Sequence, residues 1–227
     1  MATAPVLVLD LDGTLVDTAQ DIVATLNVIL GRIGLAPRPF EAARLTVGHG
    51  ARHMIETALA VIGHHEDEAD LVRLTEEFFA HYGAHIADAS RPFPGAVAAL
   101  DRFTAAGWRM AICTNKQEAL ARQLLGELGL RDRFAAISGH DTFDCRKPDP
   151  LHLTETVRAA RGEPDRAVMV GDSATDIDAA KAAGMPVVAV SFGYSEPPVR
   201  ELAPDRVIDH YDELWAAVAA LMPDTVA

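Results

Sequence analysis

Lysine is scarce in this 227-residue chain: only Lys116, Lys147 and Lys181 occur, and arginine supplies the remainder of the 20 basic residues. Set against 33 acidic residues, this leaves a formal net charge of −13, which argues against a nucleic-acid partner, since phosphate backbones are gripped by basic surface. A small anionic ligand would instead need positive charge concentrated locally. Cysteine is nearly absent: Cys113 and Cys145 do not make a disulfide framework, and Cys113 sits inside an apolar strand pattern where a buried thiol is commonplace. A reducing cytoplasm is expected. No apolar run reaches the roughly 18 residues of a membrane span and no basic-then-apolar leader opens the chain, so neither membrane spanning nor secretion is expected. Repeats, low-complexity tracts and blocks of like charge are lacking as well.

What is present suits a globular protein. A hydrophobic share of 49% and a charged share of 23% are ordinary, and this length buries a full α/β core with room for one smaller insertion. Val6 to Leu9 reads as a strand covered on both faces and ends abruptly in Asp10-Leu11-Asp12-Gly13. Such strand ends open onto the crevice where ligands sit in open α/β sheets. Two carboxylates two positions apart would crowd one another unless a cation or a shared proton relieved the repulsion. The alternative is an N-cap cluster opening the next helix.

Three further polar clusters follow apolar runs. Met110 to Cys113 leads into Thr114-Asn115-Lys116, and Ala167 to Val170 leads into Gly171-Asp172-Ser173-Ala174-Thr175-Asp176. Between them, Lys147 lies in Arg146-Lys147-Pro148-Asp149-Pro150. A parallel sheet brings such ends around one small volume. Two of the three lysines fall in these clusters. An all-oxygen set without histidine or cysteine at ligand spacing favours a hard cation, Mg2+ above all.

Helical spacing runs through Ile22, Leu26, Ile29 and Ile33, then over 38–46 and 52–62, then along Leu71, Leu74, Phe78, Tyr82 and Ile86. No strand pattern intrudes. A helical block of roughly 70 residues is too long for a simple crossover and reads as an inserted domain. From Pro94 onward helix alternates with strand: helices at 96–106, 117–128, 150–161, 176–183 and 211–221, strands at 109–114, 135–138, 167–171, 187–190 and 206–208. The alternation predicts an α/β fold, a doubly wound parallel sheet of Rossmann-like type.

Asp10-Leu11-Asp12-Gly13-Thr14, Thr114-Asn115, Lys147 and Gly171-Asp172 with Asp176 resemble the four motifs of the haloacid dehalogenase-like hydrolase superfamily, in order and spacing as well as residue type. The resemblance spans nearly the whole chain. Val47-Gly48-His49-Gly50-Ala51-Arg52, Thr114-Asn115-Lys116 and the Arg-Lys-Pro-Asp-Pro run are similar to the phosphoglycolate phosphatase branch. The resemblance implies a core of residues 1–15 and 94–227 carrying a helical cap of residues 16–93. It implies Asp10 as nucleophile forming an aspartyl-phosphate, and Asp12 as the acid and base that protonates the leaving oxygen and later deprotonates water. Mg2+ would be held by Asp10, Asp172 and the Asp12 backbone carbonyl.

Around that pair, Thr114, Asn115 and the Gly13 N–H are suited to donate to phosphoryl oxygens, and Lys147 to meet charge developing on phosphate. Asp176 would reach the metal through water, orient Lys147, or simply cap the following helix. Lys116 would hold the site or be a solvated helix start. His49 and Arg52 would receive a substrate carboxylate or form an exposed loop.

The expected activity is magnesium-dependent hydrolysis of a small phosphorylated metabolite, 2-phosphoglycolate first, by a monomer or homodimer. The alternatives are a phosphatase of another small phosphate ester or sugar phosphate, a hexose-phosphate mutase, and an inactive binding protein, against which the intact Asp10, Asp12, Lys147 and Asp172 speak. Dehalogenation is disfavoured because Asp12 stands where dehalogenases usually carry tyrosine. Schiff-base hydrolysis is disfavoured because residues 16–93 contain no lysine.

Overall fold

The computed structural model describes residues 3–223. Among them are eight strands: β1 (Val6–Leu9), β2 (Val16–Asp17), β3 (Arg91–Pro92), β4 (Arg109–Cys113), β5 (Ala136–Ser138), β6 (Ala167–Gly171), β7 (Val187–Val190) and β8 (Arg206–Ile208). Six form one sheet in the order β5-β4-β1-β6-β7-β8, with every pairing parallel. β2 and β3 form a separate two-stranded sheet. The residues of β1 are fully buried, which is why its sequence is apolar without alternation. The core helices are α5 (Ala96–Ala105), α6 (Glu118–Glu127), α7 (Pro150–Ala159), α8 (Ala174–Ala182) and α9 (Leu214–Leu221), preceded along the chain by α1 (Ala19–Arg32), α2 (Phe40–Arg44), α3 (Ala51–Val61) and α4 (Glu68–Ala84).

The sheet order fixes where chemistry can sit. From β1 the chain returns to β4 and then β5 on one side, after which it crosses to β6 on the other and continues outward to β7 and β8. The carboxyl ends of β1 and β6 therefore flank the point where the winding reverses, the usual ligand crevice of such sheets. Register makes those ends level: Leu9 lies opposite both Ile112 and Val170, and the Asp10 N–H donates to the Val170 carbonyl over 2.9 Å.

Contacts divide the chain into two compact units, one running up to Asp17 and resuming at Pro92, the other Thr18–Arg91. The second is helical. α1 buries Ile22, Leu26, Ile29 and Leu30, and α4 buries Leu74, Phe78 and Tyr82. Buried Asp21 closes this unit by accepting the N–H groups of Ala89 and Ser90 and the Ser90 hydroxyl.

Several boundaries differ from the sequence expectation. α2 covers only Phe40–Arg44, because Pro39 precedes it and holds Arg38 out of helical conformation. α4 starts earlier, at Glu68, where the Asp67 side chain accepts the Asp70 N–H. α8 opens at Ala174 rather than at Asp176 because Ser173 caps it. Tyr211–Glu213 is a 3-10 turn ahead of α9. β2 and β3, two residues each, fall inside 16–93 and are too short to show any period in sequence.

Candidate active site

Three strand ends and one loop bring their polar residues together. Asp10 follows β1 and is 92% buried, its exposure being 8%. The Lys147 Nζ stands 2.9 Å from its Oδ1, close enough for strong charge attraction, but off the hydrogen-bond axis, so this buried oxygen has no donor among the described residues. Lys147 donates instead to Asp176 Oδ1 over 2.5 Å. Burial alone would lower the lysine pKa, but Asp10 and Asp176 outweigh it and raise it, so the ammonium stays charged.

Asp12 has its own cation. Lys116 Nζ lies 2.9 and 3.0 Å from the two Asp12 oxygens, and its side chain is nearly buried at 6% exposure. The crowding expected between Asp10 and Asp12 is thus relieved by one lysine apiece. Lys116 is no solvated helix start, and α6 has Gln117 as its N-cap.

Asp172 leaves β6 fully buried and accepts one bond at each oxygen: the Thr14 hydroxyl donates to Oδ1 over 2.8 Å and the Tyr194 N–H to Oδ2 over 2.9 Å. Each oxygen retains a lone pair. Asp176 has less to spare. Its Oδ2 accepts the N–H groups of Asp172 and Ser173 and the Ser173 hydroxyl, completing a capping box, while Oδ1 holds Lys147. Asp176 therefore caps α8 from inside its first turn and anchors the lysine at once.

Oxygen atoms of Asp10, Asp172 and Asp176 lie within 4.8 Å of one another. Burial pushes the Asp10 carboxyl up to about 6, with Asp176 and Asp12 adding to the rise and Lys147 opposing it. Burial, followed by the Asp176 and Asp10 charges, pushes Asp172 up to about 8. Two buried acids that resist ionising together, one with an oxygen lacking any donor, form a hard, anionic, all-oxygen set that fits a magnesium ion. Asp176, with both oxygens engaged, fits a supporting position better than a direct one.

The remaining expected residues divide. Thr114 is buried, and its hydroxyl oxygen accepts the Lys116 N–H over 3.2 Å. Asn115 donates to the Lys147 carbonyl over 3.0 Å, leaving its Oδ1 buried without a donor among the described residues. The Gly13 N–H, expected to meet phosphate, donates to the Val16 carbonyl. Gly13 matters through its shape: at φ +81°, a Cβ there would lie 2.6 Å from Asp172 Oδ2. His49 and Arg52 belong to the other unit. His49 is exposed, with its ring 5.2 Å from that of His53. Arg52 makes a bidentate pair with Glu68 at 2.7 Å and reaches Glu56 at 2.8 Å, bonds that raise its already high pKa.

Sequence reasoning placed Thr14 and Ser173 in their motifs without giving either a role, and missed Tyr194 and Tyr211 as parts of this assembly. The Ser173-x-x-Asp176 spacing is a capping-box signal. Tyr211, whose hydroxyl donates to the Thr14 carbonyl over 2.8 Å, and Tyr194, whose hydroxyl donates to Asp17 over 2.6 Å, carry no local signal because their partners are 197 and 177 residues away.

Residues 7–190 match the model of a family described as haloacid dehalogenase-like hydrolase. The chain is 52% identical over 215 residues to a phosphoglycolate phosphatase of Mesorhizobium japonicum, covering 95% of each. To a phosphoglycolate phosphatase of Agrobacterium fabrum it is 46% identical, covering 95% of this chain and 92% of the relative. Among solved structures, a predicted phosphoglycolate phosphatase from Haemophilus somnus superposes with a TM-score of 0.89 at 25% identity, covering 96% of this chain and 99% of its own.

Proposed function

The chain belongs to the haloacid dehalogenase-like hydrolase family and is a phosphoric monoester hydrolase, and on that premise we propose that its substrate is 2-phosphoglycolate. The observation that carries the chemistry is Asp10 Oδ1, buried, without a donor and 2.9 Å from an ammonium. Near pH 7 a carboxyl shifted to about 6 is largely ionised.

Asp10 attacks phosphorus, forming a carboxylate O–P bond as the P–O bond to glycolate breaks. For the first step Asp12 must carry a proton despite its ammonium partner; it gives that proton to the departing oxygen and takes one back from the water that cleaves the aspartyl-phosphate and frees Asp10. Lys116 holds Asp12 in place for both transfers. Lys147, fixed by Asp176, opposes the charge gathering on the phosphoryl oxygens. Asp10, Asp172 and the Asp12 carbonyl would hold magnesium, which when bound offsets phosphate charge and keeps phosphorus in line with Asp10.

The glycolate carboxylate is assigned to Arg52 and His49 of the helical unit, Thr18–Arg91, which we take as the cap expected over residues 16–93. Arg52 already grips Glu68 as a fork, so a substrate carboxylate would replace one carboxylate by another of the same geometry. The relatives at 52% and 46% identity support the substrate through their names.

The test is phosphate release from 2-phosphoglycolate, a hexose phosphate, a nucleoside monophosphate and p-nitrophenyl phosphate, with magnesium and with EDTA, beside Asp10→Asn. A marked kcat/KM preference for phosphoglycolate, lost with EDTA and in the variant, is expected. Comparable slow turnover of all four removes the substrate and keeps the chemistry. Arg52→Ala should raise KM for phosphoglycolate more than for p-nitrophenyl phosphate, and equal loss for both would remove Arg52 from the carboxylate site.

A further inference from the structure

We propose that His152 is a positioning residue that sets the backbones of both site lysines, an inference that rests on the phosphatase reading above. His152 lies in the first turn of α7 and is fully buried. Its Nδ1 is 3.2 Å from the Lys147 N–H, and its Nε2 is 3.0 Å from the Gly139 carbonyl. An amide N–H can only donate and a carbonyl can only accept, so the surroundings specify the neutral ring with its proton on Nε2.

The two bonds close a circuit. The Gly139–His140 peptide takes the ring N–H at its carbonyl and donates its own N–H to the Lys116 carbonyl over 3.0 Å. Asn115, next to Lys116, donates to the carbonyl of Lys147, whose N–H returns to the His152 ring. One imidazole thus links the loop that carries Lys116 to the loop that carries Lys147. Gly139 is pressed into this circuit: a Cβ there would lie 2.2 Å from the Glu118 nitrogen and 2.6 Å from the Lys116 carbonyl oxygen. Phe143 packs edge-on to the ring at 6.1 Å between centroids.

A charged ring would aim a second N–H at the Lys147 amide. The neighbourhood disfavours that form: burial, then the Lys147 charge, then His140 push the His152 pKa down to about 4, against the Gly139 bond and Asp149. Among the described residues the His152 ring bonds to the Lys147 N–H and the Gly139 carbonyl and not to Asp10 or Asp12, so it acts through the lysines and not on the reacting atoms.

Nitrogen-15 NMR of the whole protein tests the bridge without any variant. A neutral, Nε2-protonated signal for His152 near pH 7 is expected, and an Nδ1-protonated or charged ring overturns the inference. Turnover then separates positioning from packing. His152→Gln, which can both accept from Lys147 and donate to Gly139, should keep kcat for 2-phosphoglycolate or p-nitrophenyl phosphate within about threefold. His152→Met, which fills similar space with neither bond, should lose tenfold or more in kcat with KM within about twofold. A folded methionine variant with wild-type kcat overturns the role. Should that variant fail to fold, the glutamine variant decides, and a loss above tenfold there counts against the bridge. A wild type that turns over neither ester overturns the phosphatase reading instead, leaving the NMR arm to decide the bridge.

Discussion

Lys147 stands between two buried aspartates, Asp10 and Asp176, and its removal should separate their roles. In Lys147→Met, Asp10 and Asp176 lose their common ammonium while staying buried, a change that typically costs about 3–5 kcal/mol because uncompensated charge remains inside. Urea unfolding near pH 7 should register that loss, and kcat should fall by a factor on the order of 10³, since the charge opposing the phosphoryl oxygens is gone. Adding Asp176→Asn to Lys147→Met should restore part of the stability and none of the activity. Recovery of both would show that the lysine serves structure alone. Residues of this kind were legible in sequence only so far as they sat in strand-end clusters. Asp10, Lys147, Asp172 and Asp176 could be grouped because apolar runs announced strands whose ends converge. That Lys116 would choose Asp12, 104 residues away, depended on side-chain reach across two loops, which no local pattern encodes.

Elements were easier to read than their junctions. β1, β6 and β7 are apolar throughout, and β4 is apolar after Arg109, because both faces are covered, and the α/β alternation gave the sheet type before any pairing was known. β2 and β3 escaped because two residues have no period, and α8 was placed two residues late because Asp176 resembles an N-cap when Ser173 is the one that occupies it. The turn between β1 and β2 bears directly on the acids proposed to hold magnesium. Gly13 adopts φ +81° with no room for a Cβ beside Asp172 Oδ2, so Gly13→Ala should both strain the turn and displace that carboxylate. Magnesium affinity, measured by calorimetry, is expected to weaken by roughly tenfold or more, in keeping with loss of groups that orient ligands. Unchanged affinity would remove Asp172 from the set. Ser173→Ala should be milder: the hydroxyl's two bonds with Asp176, one donated to Oδ2 and one accepted from its N–H, are lost, costing about 1 kcal/mol, with Lys147 still held through Oδ1.

For the molecule as a whole, the buried acids predict how stability depends on pH and on the cation together. Asp172 moves from an ordinary value of 3.8 up to about 8 in the fold, and Asp10 up to about 6. An acid with a raised folded pKa binds more proton folded than unfolded between its two values, so its contribution is complete below the unfolded pKa and is lost as pH rises through the folded one. His152 works in the opposite sense: its folded pKa of about 4 lies below the ordinary 6.5, so it favours unfolding as pH falls through that interval. The two trends overlap and partly cancel below about 6.5, which leaves the window from 6.5 to 8 to Asp172 and the tail of Asp10. In EDTA, the free energy of unfolding should therefore fall across that window, by at most about 1.4 kcal/mol per pH unit for each proton involved. Asp172→Asn should flatten most of this slope, because the amide does not titrate. Magnesium should flatten it too, since a divalent cation takes the place of the proton and is bound more firmly as the carboxylates ionise, so the Tm gained from magnesium should be larger at about pH 8 than at about pH 6.5. A slope in EDTA that persists undiminished in Asp172→Asn would place its origin elsewhere. A magnesium effect equal at both pH values would mean that the ion does not compete with the protons of these two aspartates.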